Sequence, residues 1–181
     1  MFGKGKIYLV SGEIESGKTR FCRDAADYLK EKGWDTAGLL APAVFEGGRK
    51  TAIEALDLRS GERRRLAELN EPNRTPSSIQ TKRWRFIPET LRWCNQVLES
   101  AAPCDLLVVD ELGPLELERN EGMLAGFKAI DSGLYRVSLA VVRPSLLHKA
   151  FVRWPGVEVV KISELNDASM SENEWLRRLI R

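Results

Sequence analysis

The chain carries a single histidine, His148, and only three cysteines among 181 residues. One imidazole cannot build a multi-histidine metal centre, and its place in an amphipathic stretch assigns it to the surface. Cys22, Cys94 and Cys104 are odd in number, widely spaced and without a C-x-x-C pair. They form neither a disulfide frame nor a zinc site and read as reduced core thiols of a cytoplasmic protein. No apolar run approaches the roughly 20 residues of a membrane span, and the first residues lack a signal-peptide core, so a protein without membrane association is expected. Strong charge of one sign is missing too, since 28 Lys and Arg face 26 Asp and Glu for a net +2. Repeats and low-complexity tracts are absent. What remains, 30% charged and 43% hydrophobic residues, is the composition of a globular chain. Its length suits one domain, 1–181, with a sizeable core.

Against this background one segment stands out: Gly12-Glu13-Ile14-Glu15-Ser16-Gly17-Lys18-Thr19. It matches G-x-x-x-x-G-K-[ST], which arises by chance in roughly one chain of this length in a couple of hundred. Each fixed position has its own task. Gly12 and Gly17 let the backbone curl so that successive N–H groups, Ser16 included, face a nucleotide's phosphates. Lys18 supplies a charge to the β- and γ-phosphates, and the Thr19 hydroxyl can ligate Mg²⁺. The β-branched and aromatic run at 6–10 before the loop reads as a buried strand. After it, Phe21, Cys22, Ala25, Ala26 and Leu29 form a helical stripe closed by Gly33. Phosphates would thus sit at a helix N-terminus. A dinucleotide fingerprint is excluded, because Ile14 stands where its second glycine must be.

The second informative segment runs from Asp105 to Gly113. Residues 106–109 are aliphatic without interruption, as in the middle of a parallel sheet. Asp110 and Glu111 follow at the strand's C-terminal end, where ligands bind in open α/β sheets. Asp110 is assigned to Mg²⁺ opposite Thr19, and Glu111 to orienting the attacking water toward the γ-phosphorus. Asp110-x-x-Gly113 also fits a GTPase switch, which makes Gly113 a candidate nucleotide contact, but no Asn-Lys-x-Asp guanine signature occurs. Arg143, after a β-branched strand, is the candidate γ-phosphate arginine; capping the next turn with Pro144 is an equal alternative.

These segments carry a family resemblance. The phosphate loop, the stretch from Val108 to Leu117 (with Asp110-Glu111-Leu112-Gly113-Pro114-Leu115-Glu116-Leu117), Gly38-Leu39, Glu46-Gly47-Gly48-Arg49, Leu58-Arg59-Ser60-Gly61-Glu62-Arg63 and the run 141–147 resemble the THEP-type nucleoside-triphosphatases. Those are P-loop proteins with an additional catalytic glutamate. The resemblance implies Mg²⁺-dependent hydrolysis of nucleoside triphosphates to diphosphate and phosphate, broad in base. The chain departs from it at Ile14 and Glu15, where the family usually has Pro and Gly. A loop carboxylate, with Glu13 adding to it, costs triphosphate binding on the order of 1 kcal/mol at an effective dielectric of about 20. Ala41-Pro42 likewise replaces residues that are usually polar.

The expected architecture is an α/β P-loop fold: a mainly parallel sheet flanked by helices, with an antiparallel hairpin extension at one edge. Strands are expected at 38–45, 50–58 and 63–66 in the extension, then at 136–142 and 157–162. Helices are expected at 88–100, 120–131 and 145–151, with a C-terminal helix opened by a Ser171-x-x-Glu174 capping box and burying Trp175, Leu176 and Leu179. Residues 67–87, with Pro72, Pro76 and few apolar residues, read as a loop over the nucleotide. Lys82-Arg83-Trp84-Arg85 offers a base-stacking or nucleic-acid surface, but a solvated face with Trp84 tucked onto the core is favoured. Without an arginine in place, whether Arg143 or one from a partner or second subunit, hydrolysis is expected to be slow. Two rival readings stand beside hydrolysis: a small-molecule (nucleoside or metabolite) kinase that transfers the γ-phosphoryl to a hydroxyl held under the Pro72 to Ile87 loop, with Glu111 or Asp110 as base, and a nucleotide-binding adapter or regulator with little turnover. Base preference and oligomeric state are not encoded in any motif.

Overall fold

The computed structural model describes residues 5–70, 79–166 and 172–178. Strand β1 (Lys6–Ser11) runs into the phosphate loop and helix α1 (Lys18–Glu31). Next come β2 (Thr36–Leu40), β3 (Ala43–Glu46), β4 (Arg49–Asp57), β5 (Arg63–Leu69) and β6 (Trp84–Phe86). The chain continues through α2 (Pro88–Glu99), β7 (Cys104–Leu112), α3 (Pro114–Arg119), α4 (Ala125–Ser132), β8 (Tyr135–Val142) and α5 (Leu147–Arg153). It closes with β9 (Glu158–Lys161), α6 (Ile162–Asn166) and α7 (Glu172–Arg178).

One sheet holds all the strands, in the order β6-β5-β4-β2-β7-β8-β1-β9 with β3 paired to β4. The pairs among β2, β7, β8, β1 and β9 are parallel, and those from β2 out to β6 are antiparallel. The expected antiparallel extension is thus present at one edge. It runs one strand further than expected, because β6 pairs on beyond β5.

Uninterrupted apolar strands follow from burial on both faces. Leu107 and Val109 of β7 join Leu9, Ala140 and the α2 and α4 residues Leu98 and Ile130 in one core. Leu106 and Val108 join Tyr8, Val10 and Phe21, Cys22 and Leu29 of α1 in the other. Each fully buried side chain of this kind contributes about 1.5–3 kcal/mol. Trp175 and Leu176 of α7 close the second core, with Trp175 edge-on to both Tyr8 and Phe21 at 5.0 Å. The Ser171 cap and Leu179 lie outside the described residues.

Several boundaries differ from the sequence reading for physical reasons. The strand expected over 38–45 breaks at Pro42, which has no N–H for a ladder. The Ala41 amide leaves the sheet to bind Asp110, while the Pro42 carbonyl accepts from the Glu54 amide. The helix expected from 120 starts at Ala125, since Asn120 and Gly122 have positive φ (53° and 80°) and end the unanticipated α3. The helix expected over 145–151 opens as a 3₁₀ turn over Pro144–Leu146. Within 67–87, β5 reaches Leu69 and β6 occupies Trp84–Phe86; residues 71–78, with Pro72 and Pro76, lie outside the described residues.

Arg59 pins the extension to the parallel half. Its guanidinium pairs with Asp35 at 2.7 Å and donates to the carbonyls of Ser100, Ala101 and Pro103. The turn at 58–63 therefore fixes where β4 and β5 stand relative to β7, and so the wall they present to the phosphate loop.

Candidate active site

The phosphate loop joins the C-terminal end of β1 to α1. Gly17 holds φ at +99°, a left-handed conformation that disfavours other residues. Glu15 also has a positive φ of 63°, which accounts for the glycine usual at that place in the resembling family. Its carboxylate is 3.9 Å from the Arg83 guanidinium, a pairing that offsets part of the repulsion expected toward a triphosphate. Ile14 is 63% exposed at the rim. Lys18 is buried, and its Nζ donates to the carbonyls of Gly12 (2.9 Å) and Glu13 (2.6 Å). The ammonium is thus folded against the loop's own carbonyl face, within reach of whatever the loop cradles. Ser16 Oγ is buried without a partner beside it.

Asp110 is 2% exposed at the end of β7. It accepts from the Ala41 amide at 3.0 Å. Burial pushes its pKa up to about 6, against the lowering pull of that bond and of the nearby Thr19 hydroxyl. Glu111, next along, pairs with Arg143, whose Nε donates to Oε1. The Arg143 carbonyl also accepts from the Leu146 amide at 2.9 Å. The residue therefore opens the following turn with its backbone and meets Glu111 with its side chain. Strand order explains the meeting: β8 lies between β1 and β7, so Arg143 at its end stands between the phosphate loop and the paired carboxylates.

The sequence-derived residues of the loop's second half, Ile14 to Thr19, share one cavity of about 710 Å³ with Asp110, Glu111, Gly113 and Arg143. Gly113 differs from its switch-type reading in one respect: its amide is already donated to Glu116 Oε2 at 2.9 Å. Glu116 is buried and also accepts from the Met123 amide at 2.8 Å, so it braces the turn that follows β7. Its burial pushes its pKa up. The signal for this role was present as glutamate two residues after Gly113-Pro114, a helix-capping spacing.

Lys50 was not anticipated, and nothing local marks it. It lies on β4 beneath the extension's wall, with its Nζ 5.2 Å from the Trp84 ring centre. Burial lowers its pKa; Glu15 and Glu111 counteract this, and Arg83 and Arg143 add to it. Trp84 is buried as the favoured reading of its segment expected, yet it belongs to neither apolar core and lines the cavity with Lys82 and Arg83, with Arg83 over its ring at 5.1 Å and Arg85 paired to Glu68. Cys22, Cys94 and Cys104 are free and buried, and burial raises all three thiol pKa values, Cys94 and Cys104 to about 12.

The Asp110 pKa has a consequence for stability. A carboxyl with a folded pKa above its unfolded value binds its proton more tightly when folded. Its stabilising contribution is complete below the unfolded value and is lost as pH rises through 6. The ionised group at pH 8 then costs about 3 kcal/mol. Asp110→Asn keeps an oxygen for the Ala41 amide and removes the charge. It is expected to stabilise the metal-free protein by about 1–2 kcal/mol at pH 8 and not at all at pH 4. Urea denaturation in chelator at both pH values measures this, and an equal midpoint shift at the two would rule out the electrostatic origin.

Comparison with known proteins gives the chain's family and fold. Residues 7–173 match the model of the NTPase family. The nucleoside-triphosphatase THEP1 of Methanopyrus kandleri is 30% identical over 125 residues, which cover 68% of this chain and 67% of that protein. For several other archaeal relatives of the same description the aligned stretch spans about three fifths of their length. In fold, the chain is similar to the solution structure of a human cancer-related nucleoside triphosphatase, with a TM-score of 0.68 at 21% identity covering 97% of this chain and 95% of the other. It is also similar to crystalline THEP1 from Aquifex aeolicus, with a TM-score of 0.63 at 14% identity over 97% and 99%. A phosphate loop, an aspartate and glutamate ending β7, and a family match across nearly the whole described sheet converge on one assignment: this chain belongs to the THEP-type nucleoside-triphosphatase family, hydrolases built on the P-loop fold.

Proposed function

We propose that the protein hydrolyses nucleoside triphosphates to diphosphate and phosphate, slowly, with Mg²⁺ and with broad base tolerance, in the cytoplasm. The observation that carries this reading is the convergence of Lys18, Thr19, Asp110, Glu111 and Arg143 on one cavity at the C-terminal ends of parallel strands. Loop amides and Lys18 bind the phosphates. Glu111 accepts a hydrogen bond from the attacking water and aims it at the γ-phosphorus. Arg143, already at Glu111, is within the same pocket to meet negative charge on the transferred group.

The donor set fits Mg²⁺. Thr19 and Asp110 set a hydroxyl and a desolvated carboxylate side by side, and both are the hard oxygen donors this ion prefers. Among the described residues no cluster of three or more His, Cys, Asp or Glu could hold a metal. Substrate phosphates and water would therefore complete the shell, as is usual for Mg²⁺ in such sites. When bound, the ion supplies neutralisation of phosphate charge.

Slowness is supported by the Arg143–Glu111 pair, because a guanidinium bonded to the carboxylate weakens it as a hydrogen-bond acceptor for water. Broad base tolerance is supported by the phosphate loop, whose amides and Lys18 address the phosphates common to all nucleotides. The buried free thiols are compatible with a reducing compartment, and among the described residues no helix is long and apolar enough to cross a membrane.

The test is phosphate release from ATP, GTP, CTP and UTP with and without Mg²⁺, with purified Lys18→Ala as the contamination control. Wild type is expected to release phosphate from all four only with Mg²⁺. Lys18→Ala should lose at least about 10²-fold in kcat/KM, through weaker binding and slower chemistry together. Equal release by the variant would remove Lys18 from the mechanism.

A further inference from the structure

The cavity over the phosphate loop also reaches the antiparallel extension. Loop amides hold the α- and β-phosphates and Lys18 reaches the β- and γ-phosphates, so the γ end of a bound triphosphate points at Asp110 and Glu111. A nucleophile must attack from the side opposite the leaving oxygen, which is the side beyond Glu111. There the 710 Å³ cavity does not close on a water-sized niche but continues under the antiparallel extension. Its lining there is mixed: Phe45 on β3, Ile53 on β4, Leu66 on β5, Phe86 on β6 and Met123 before α4 are apolar, while Lys82, Arg83 and Arg119 bring cations to the same cavity. Phe45 is 56% exposed at its mouth, an apolar surface left to solvent in the free protein. Within stands Lys50, a half-buried ammonium with no carboxylate within ion-pair distance among the described residues.

We propose that this attacking-side cavity binds a nucleoside as phosphoryl acceptor, which gives the protein a nucleoside kinase activity beside its hydrolysis. This rests on the reading of the phosphate loop as the triphosphate site. The chemistry of the walls selects the class. A heteroaromatic ring packs against Phe45 and Phe86, and the Lys50 ammonium donates to its ring or sugar acceptors. The acceptor group is a hydroxyl, because it carries the proton that Glu111, as a carboxylate at the γ end, is placed to take.

In the step, the sugar hydroxyl oxygen forms a bond to the γ-phosphorus. The bond from that phosphorus to the β,γ-bridging oxygen breaks, and its electron pair leaves with the nucleoside diphosphate. The hydroxyl proton passes to Glu111 and from there to solvent. A nucleoside monophosphate is the second product, in place of inorganic phosphate.

The experiment follows Mg·ATP turnover by ³¹P NMR, alone and with adenosine, guanosine, cytidine, uridine or thymidine in turn. The expected result is inorganic phosphate in the absence of acceptor, and a nucleoside monophosphate signal with suppressed phosphate release for at least one nucleoside. Ile53→Trp, which fills the cavity from β4, is expected to raise the nucleoside KM at least about tenfold while ATP hydrolysis without acceptor stays within about twofold. Phe86→Ala, which removes a stacking wall without adding bulk, is expected to raise it about fivefold and serves if Ile53→Trp fails to fold. ADP and phosphate as the only products at every nucleoside concentration would overturn the acceptor proposal and leave the hydrolase reading standing. Conversion of an added nucleoside monophosphate to the diphosphate, with no nucleoside phosphorylated, would overturn the hydroxyl assignment. No ADP under any condition would remove the triphosphate reading, and the acceptor with it.

Discussion

Glu111→Gln is expected to lower kcat for triphosphate hydrolysis by about 10²–10³-fold and to leave Mg·NTP affinity within about threefold of wild type. Glutamine keeps the shape and one carbonyl oxygen but loses the negative charge that draws a proton of the attacking water. Ground-state binding is carried by other groups, the loop amides and Lys18, so affinity is spared. The substitution also breaks the ion pair with Arg143. The released guanidinium can turn to the phosphates, which pushes affinity up if it moves at all. Single-turnover hydrolysis and titration calorimetry on the same preparation separate the two quantities. Hydrolysis at the wild-type rate would show that water is oriented by some other group, and an adapter with little turnover would show no difference at all.

The largest loss of stability is expected at Gly38. This glycine sits in the middle of β2, opposite Val108 of β7, with φ at +100°. A Cβ there would lie 2.0 Å from the Val108 carbonyl oxygen and 3.0 Å from its carbonyl carbon and amide nitrogen. All three are backbone atoms of a central strand, so none can rotate away. Gly38→Ala thus combines backbone strain of about 1–3 kcal/mol with overpacking of similar size, for a loss of about 3–5 kcal/mol. That is a large part of the 5–15 kcal/mol typical of a domain, on the order of half at the lower end. Urea denaturation should show a lower midpoint at unchanged m-value, and a loss under about 1 kcal/mol would mean that β2 and β7 can separate cheaply. Because Val108 is two residues before Asp110, any variant that folds should also lose Mg·NTP affinity.

Gly38 shows how a motif can be visible before its cause is. Gly38-Leu39 belongs to the family resemblance, yet the need for glycine comes from the neighbouring strand's carbonyl, 70 residues further along the chain. Asn120 and Pro42 show the reverse. Pro42 breaks the strand expected over 38–45 by local chemistry that the sequence displayed plainly, since proline cannot donate to a ladder.

What the sequence by itself determined is what short-range chemistry dictates. The loop at 12–19 needs its glycines, lysine and threonine within eight residues, and β7 announces itself by four aliphatic residues before two carboxylates. The alternation of strands and helices, the antiparallel extension and the burial of Trp84 were legible for the same reason: each depends on periodicity or composition within a few residues. Only the tertiary structure decided the rest. Strand order placed β8 between β1 and β7 and so brought Arg143 to Glu111, 32 residues away in sequence. The pairing of β4 against β2 carried Lys50 into the cavity, and the turn at 120–124 folded back so that the Met123 amide meets Glu116. These contacts are fixed by how hydrophobic faces close over one another, a global condition on the whole sheet that no window of sequence contains.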